Sequence, residues 1–365
     1  MHEYVLILVV AAGVTYIVTP FIRSLAVATG AFTAVRERDV HQTPIPRLGG
    51  VGIYIGFVAA ALVAQSLPYL GTLFTTRQLL GVIAAGGIVC LVGAFDDIRE
   101  LDWLTKLAGQ ILAAGLMAYT GSQLLSLPIF GVTVLPTPVL VAFTVGVVIV
   151  TTNAVNFIDG LDGLAAGIVG IAALAFFGYS YLISRSFVPA NVFSTATFIS
   201  AALVGTCAGF LPHNFHPARL FMGDSGALTL GLLLSAAMIT LTGNVDPSQI
   251  SANQVAAALL PILVPLAVLL LPLLDMALAV VRRTRAGRRP WHPDAKHLHH
   301  RMLEIGHGHR RAVLILYLWA AIVALGSVSF VIWSGWTPLV VVLAAAGVGA
   351  ILTVKLPKWR PSRRL

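Results

Sequence analysis

Long apolar runs separated by short polar segments dominate this chain. A helix crossing a bilayer core needs about 20 predominantly apolar residues. Runs of that kind fall at 4–22, 48–66, 79–95, 104–121, 137–153, 164–184, 193–212, 225–242, 254–281, 312–333 and 336–354. The pattern predicts an all-α polytopic membrane protein of about 11 transmembrane helices. Only Ser334, Gly335, Trp336 and Pro338 interrupt the last two runs, which predicts a tight hairpin and makes 336–354 an extra C-terminal helix. Ten or eleven helices form according to whether that hairpin closes. Weak alternation around Leu127–Pro138 suits a short hairpin lying on the membrane surface. The first run follows Met1-His2-Glu3, with no basic leader and no small-residue cleavage site, so it reads as a retained helix rather than a signal peptide.

Composition agrees with this pattern: 58% of residues are hydrophobic and 10% charged, against about 25% charged in a soluble domain. No polar segment is long enough to bury a core of its own, so 1–365 reads as a single integral membrane domain. Cys90 and Cys207 are the only cysteines and both lie inside apolar runs, which excludes a disulfide framework or a cysteine zinc site. Of the 23 Lys and Arg residues, all but Arg77 and Arg185 follow odd-numbered runs or lie in the C-terminal tail. The positive-inside rule then places the N-terminus outside. The segments 23–47, 96–106, 153–163, 213–224 and 282–311 become cytoplasmic active-site loops of a multi-pass protein of the inner (cytoplasmic) membrane. The formal charge of +9 is thereby assigned to a membrane surface, not to nucleic acid.

The acids, which had no part in setting that orientation, collect on the same side. Asp96, Asp97, Glu100 and Asp102 follow the third run, Asp159 and Asp162 the fifth, and Asp224 the seventh, whereas the opposite side has only Glu3 and Asp246. Carboxylates at membrane depth require a compensating partner. Asp96-Asp97 ends a helix, where the macrodipole is negative, and needs a cation; a solvated loop start with Asp97 paired to Arg99 or Lys106 is the plainer reading. Asn153, Asn156, Asp159 and Asp162 recur every three residues, so on a regular helix they fan across roughly 180°. Gly160 and Gly163 suggest that the backbone unwinds and turns these oxygens, suited to Mg²⁺, toward one point. The alternative is an ordinary turn, with Asp162 capping the next helix.

Three further segments complete the polar face. Met222-Gly223-Asp224-Ser225-Gly226 opens the eighth helix, where Asp224 or Ser225 can cap and free amides can seat a phosphate. Lys296-His297-Leu298-His299-His300-Arg301 follows a cluster of arginines that disfavours a metal and suits a polyanion or anionic headgroups. His307 and His309 read as surface residues. In Thr43–Gly50, prolines stiffen a loop that holds Arg47 near the site, and paired glycines permit close approach of backbone or ligand. Oxygen ligands, a basic loop and headgroup-level placement together suit phosphoryl transfer from a soluble activated donor to a lipid phosphate.

These motifs, in order from Arg38 to about Gly306, resemble those of the polyprenyl-phosphate N-acetylhexosamine-1-phosphate transferase superfamily. Within it the chain is similar to the bacterial enzymes that move GlcNAc-1-phosphate from UDP-GlcNAc to undecaprenyl or decaprenyl phosphate. The resemblance implies Mg²⁺, with Mn²⁺ as a substitute, and metal ligands Asp224, Asn156 and Asp97. It implies Asp96, Asp97, Lys106 and Asp159 as the catalytic set, with Lys106 on phosphate oxygens. Gly160, Asp162 and Phe221 would line the uridine pocket, and Arg47 would contact substrate. His297, His299, His300 and Arg301 would hold the sugar pyrophosphate. A homodimer is compatible with it. The sister activity, transfer of phospho-MurNAc-pentapeptide, typically goes with three adjacent histidines and ten helices; here Leu298 interrupts the histidines and an eleventh run follows. A secondary transporter is the rival of another class. It would place its ionisable groups near the midplane and often show inverted repeats, neither of which is visible here.

Overall fold

The computed structural model describes residues 1–32, 44–124, 136–186, 194–243, 270–285, 287, 307–333 and 335–355. Eleven α-helices are present among them: α1 (His2–Thr29), α2 (Gly49–Gln65), α3 (Arg77–Arg99), α4 (Trp103–Tyr119), α5 (Thr137–Ile158), α6 (Leu164–Ser186), α7 (Thr195–Asn214), α8 (Gly223–Gly243), α9 (Leu270–Arg285), α10 (His309–Ile332) and α11 (Thr337–Lys355), with a short 3₁₀ helix at Leu70–Thr75. Eight of the α-helices are long and apolar enough to cross a membrane, and α2 is a shorter apolar helix. This is a multi-pass membrane protein. The predicted 254–281 run is described only from residue 270, and the 127–135 segment lies outside the described residues. Gly335, at φ 74, precedes α11, which packs on α10.

The bundle is built around α8, whose Gly223–Leu241 span is 94% buried. It packs on α3 and α5 most extensively, and on α2, α6 and α7. Its sequence explains this position. Apolar and small residues such as Ala227, Gly231, Ala236 and Ala237 surround it on all sides, leaving no face distinct from any other. Small residues let helices approach closely, which is what drives association where lipid is as apolar as the protein. By contrast α11 is 11% buried and packs on α10.

The polar groups sit where helix ends meet. The ends of α3, α5 and α7 and the starts of α2, α4, α6, α8 and α10 converge at one end of the bundle. The expected active-site loops are correspondingly shorter than read from sequence. Arg23 lies inside α1, Asp96 and Asp97 in the last turn of α3, Lys106 in the first turn of α4, and Asn153 and Asn156 on α5. Arg282 and Arg285 extend α9, and Arg310 and Arg311 begin α10.

Candidate active site

Three backbone hydrogen bonds fasten the start of α2 to the start of α8: Phe221 N to Pro46 O at 2.9 Å, Gly49 N to Phe221 O at 3.0 Å and Gly50 N to Met222 O at 2.9 Å. A Cβ on Gly50 would lie 1.9 Å from Gly226 N, so the paired glycines admit backbone and not ligand. This strap places Arg47 and Phe221 beside the α8 terminus.

Asp97 reaches that terminus from α3. Its Oδ1 accepts from Asp224 N at 2.9 Å and its Oδ2 from Ser225 N at 3.1 Å. The amides proposed as a phosphate seat are therefore taken by a carboxylate of the chain itself. Asp97, assigned above to metal and catalysis, is in this structure the cap of α8, a use favoured by the positive end of the helix dipole. Gly223 just before it has φ +67, and a Cβ there would stand 2.3 Å from both Asp97 oxygens. No other residue type satisfies that backbone and that contact together.

Asp224 is held between two helices. Its Oδ2 accepts from Lys106 Nζ at 2.8 Å and its Oδ1 from Asn156 Nδ2 at 2.9 Å. Lys106 also meets Asp96 Oδ2 at 2.7 Å, while Asp96 Oδ1 accepts from Leu101 N at 2.7 Å. Lys106 thus pairs with Asp96 and Asp224, and the alternative in which it pairs with Asp97 is not what forms among the described residues. Asp102 caps α4 by accepting from Leu104 N and Thr105 N. Asn153 donates to Gln110 Oε1 at 2.9 Å. Asn153 and Asn156 remain on regular helix; unwinding begins only at Asp159. Two amides of the threefold pattern accordingly face α4 and α8, and only its two aspartates occupy the turn.

Asp159 N donates to Asn156 O at 3.2 Å, but the Asp159 carboxylate makes no hydrogen bond or ion pair among the described residues. Burial pushes its carboxyl up to about 8, reinforced by the charges of Asp224, Asp97 and Asp162 and opposed by Arg47. Four carboxylates (Asp96, Asp97, Asp159 and Asp224) therefore share one helix junction, where the Lys106 ammonium contacts two of them, Asp96 and Asp224. Hard oxygen donors in excess of the local positive charge are the donor set a divalent cation such as Mg²⁺ takes.

Asp162 is brought close but differently used. It is 2% exposed, and its Oδ2 accepts from His216 Nδ1 at 2.7 Å and Ala218 N at 3.1 Å. Just before α6, Gly163 N donates to Asn214 Oδ1 at 3.0 Å. Gly160 is exposed on the same turn. His307 and His309, expected at the surface, are buried; His307 is 4% exposed. Asn214 and His216 were missed as site residues, although their polar types within an expected active-site loop were a visible signal. His297, His299, His300 and Arg301 lie outside the described residues.

An apolar groove of about 640 Å³ runs along α5 from Pro138 to Thr151, closed on its flanks by Met238 of α8 and Leu273 of α9. At about 1.5 Å per residue this is roughly 20 Å of helix. Its Thr151 end lies just before Asn153 and Asn156, so the groove leads toward the end of α5 that carries these amides.

The family model described as Glycosyl transferase family 4 matches residues 79–242, which run from the first turn of α3 to the last turn of α8 and contain every carboxylate of the cluster. The chain is similar to the decaprenyl-phosphate N-acetylglucosaminephosphotransferase of Mycolicibacterium smegmatis, 45% identical over 99% of this chain and 90% of that protein. The protein of that name from Mycobacterium tuberculosis is 43% identical over 97% of this chain and 89% of its own length. A probable undecaprenyl-phosphate N-acetylglucosaminyl 1-phosphate transferase of Bacillus subtilis is 30% identical over 91% of this chain and 87% of its own.

Proposed function

Starting from a chain that belongs to the polyprenyl-phosphate GlcNAc-1-phosphate transferase family, and is a phosphoglycosyl transferase, we propose that it transfers GlcNAc-1-phosphate from UDP-GlcNAc to a polyprenyl phosphate. The products are polyprenyl-diphosphate-GlcNAc and UMP, which would make this a first membrane step of cell-envelope glycan synthesis. The observation that carries the reading is the acidic helix junction at the end of an apolar groove. The groove suits a prenyl tail and the junction suits phosphates. An oxygen of the lipid phosphate attacks the β-phosphorus of the donor, a new P–O bond forms, and the bridging P–O bond breaks to release UMP. The attacking phosphate monoester is already ionised at neutral pH, so no carboxylate need take a proton from it.

Lys106 is placed to exchange one of its carboxylate partners for a phosphate oxygen, and Arg47 stands on the strap beside the same junction. Asp224, Asn156, Asp96 and Asp159 would hold Mg²⁺, or Mn²⁺ in its place, and the bound cation would offset the charge of the pyrophosphate. Asp97 serves this group by fixing the backbone of Asp224. The polar end of the bundle faces the cytoplasm in this reading, and the N-terminus faces out.

The test is purified protein with Mg²⁺, UDP-GlcNAc and decaprenyl or undecaprenyl phosphate, with UMP as the readout. Release of UMP only with a UDP-MurNAc-pentapeptide donor would transfer the chain to the sister activity. No release with either donor would sink the proposal.

A further inference from the structure

Among the described residues, a second polar network, outside the Asp224 junction, joins α10 to the turn Asp159–Gly163. Asp162 N donates to His309 Nε2 at 3.1 Å. The His309 ring stacks on that of His216, with centroids 4.2 Å apart and planes at 20°, and His216 in turn donates to the Asp162 carboxylate. Arg310 Nε donates to His216 O at 3.0 Å. Two turns further along α10, the Tyr317 hydroxyl donates to Gly163 O, and its ring lies over Gly167, where a Cβ would overlap it at 2.0 Å. The start of α10 is itself fixed: His307 Nε2 meets Thr353 O at 3.0 Å, and Trp319 Nε1 donates to Thr353 Oγ1 at 3.1 Å, both on α11.

The turn is therefore held from two directions, by the α7–α8 segment through His216, Ala218 and Asn214, and by α10 through His309 and Tyr317. Asp162, His216 and His309 also bring three ligand-type atoms within 4.8 Å of one another, which raises a metal site as the alternative. The hydrogen bonds argue against it. Asp162 Oδ2 already accepts two donors, one of them His216 Nδ1, and the lone pair of His309 Nε2 is engaged by an amide. A metal would displace all three.

We infer that His309, Arg310 and Tyr317 are positioning residues for the nucleotide donor, with Asp162 acting through His216 to lock the Asp159–Gly163 turn. The inference rests on the proposed function. A displacement of about 1 Å at a substrate-positioning element can cost on the order of 100-fold in rate. The acceptor groove lies on the side of α5 that faces α8 and α9, with no lining residue from α10 or from the turn. Loosening the clamp should therefore be felt by the donor alone.

The experiment compares Tyr317→Phe, His309→Ala and His309→Gln with the wild type, using UMP release to obtain KM for UDP-GlcNAc and for polyprenyl phosphate. Calorimetry with UDP and zinc analysis of the purified protein run beside it. Tyr317→Phe and His309→Ala are expected to raise the donor KM and weaken UDP binding about tenfold, as the loss of one buried hydrogen bond would, with the acceptor KM unchanged. His309→Gln, whose amide oxygen can accept from Asp162 N, is expected to recover most of the loss. The clamp is overturned by unchanged donor KM and UDP binding in both variants, by equal changes for donor and acceptor, or by stoichiometric zinc that the histidine variants lose. If wild-type protein released no UMP, the functional reading would fail while UDP calorimetry still decided the clamp.

Discussion

At the residue scale, Gly223 and Asp159 are the positions with the sharpest consequences. Gly223→Ala would force a side chain into left-handed backbone and onto the Asp97 carboxylate. The backbone strain alone is about 1–3 kcal/mol, and loss of the cap adds about 1 kcal/mol. A fall of several degrees in thermal midpoint and a near-complete loss of turnover are expected in detergent. Asp224→Ala removes the carboxylate shared by Lys106 and Asn156. Its turnover should fall by about 10³-fold, the scale on which single charge-stabilising groups act; full turnover would refute its assignment. For Asp159 the sign follows from its raised value of about 8. The folded protein retains a proton that the unfolded chain releases near pH 4. The associated stability is whole below that value and is lost as pH rises through about 8. Metal-free wild type should thus melt lower at pH 8.5 than at pH 6, and Asp159→Asn should flatten that difference. Asp97 shows what the residue scale hides. Its place beside Asp96 announced a carboxylate pair in need of positive charge, but its partners are amides 127 and 128 positions away along the chain.

At the element scale, α5 unites the two halves of the site. One stretch lines the apolar groove, and its last turn carries Asn153 and Asn156. Gly146 lines the groove, and a Cβ there meets nothing within 4 Å. Gly146→Leu should therefore fold normally and raise the KM for polyprenyl phosphate about tenfold while leaving the donor KM alone; an unchanged acceptor KM would remove the groove from the reading. Helix positions were legible because apolar periodicity and run length are local properties. Helix ends were less so. Asp102 capping α4 is local, three residues from its partner at most, and could be read from the chain. Asp97 capping α8 and His309 meeting the α5–α6 turn depend on packing, and so did the burial of His309, whose sequence neighbours are polar.

At the scale of the whole molecule, orientation is the open physical prediction. Cys90 and Cys207 are buried, so single cysteines introduced elsewhere report cleanly. In intact cells, Tyr69→Cys at the far end should react with an impermeant maleimide, and Glu100→Cys at the polar end should react only after permeabilisation; the reverse result would invert the topology. Hydropathy settled the class of protein, an all-helical multi-pass membrane protein, and the order of polar residues along the chain foretold the gathering of Asp96, Asp97, Asp159, Asp162 and Asp224, because each is a property of composition and order along the chain. The family resemblance likewise was visible in five short motifs. The tertiary structure decided the division of labour among those residues. Which carboxylate caps, which two are bridged by Lys106, which has no partner among the described residues, and which is tied through His216 to α10 all depend on contacts between helix ends brought together by packing around α8. Spacing along the chain constrains such contacts only within a helical turn or two, and these span tens to more than a hundred residues.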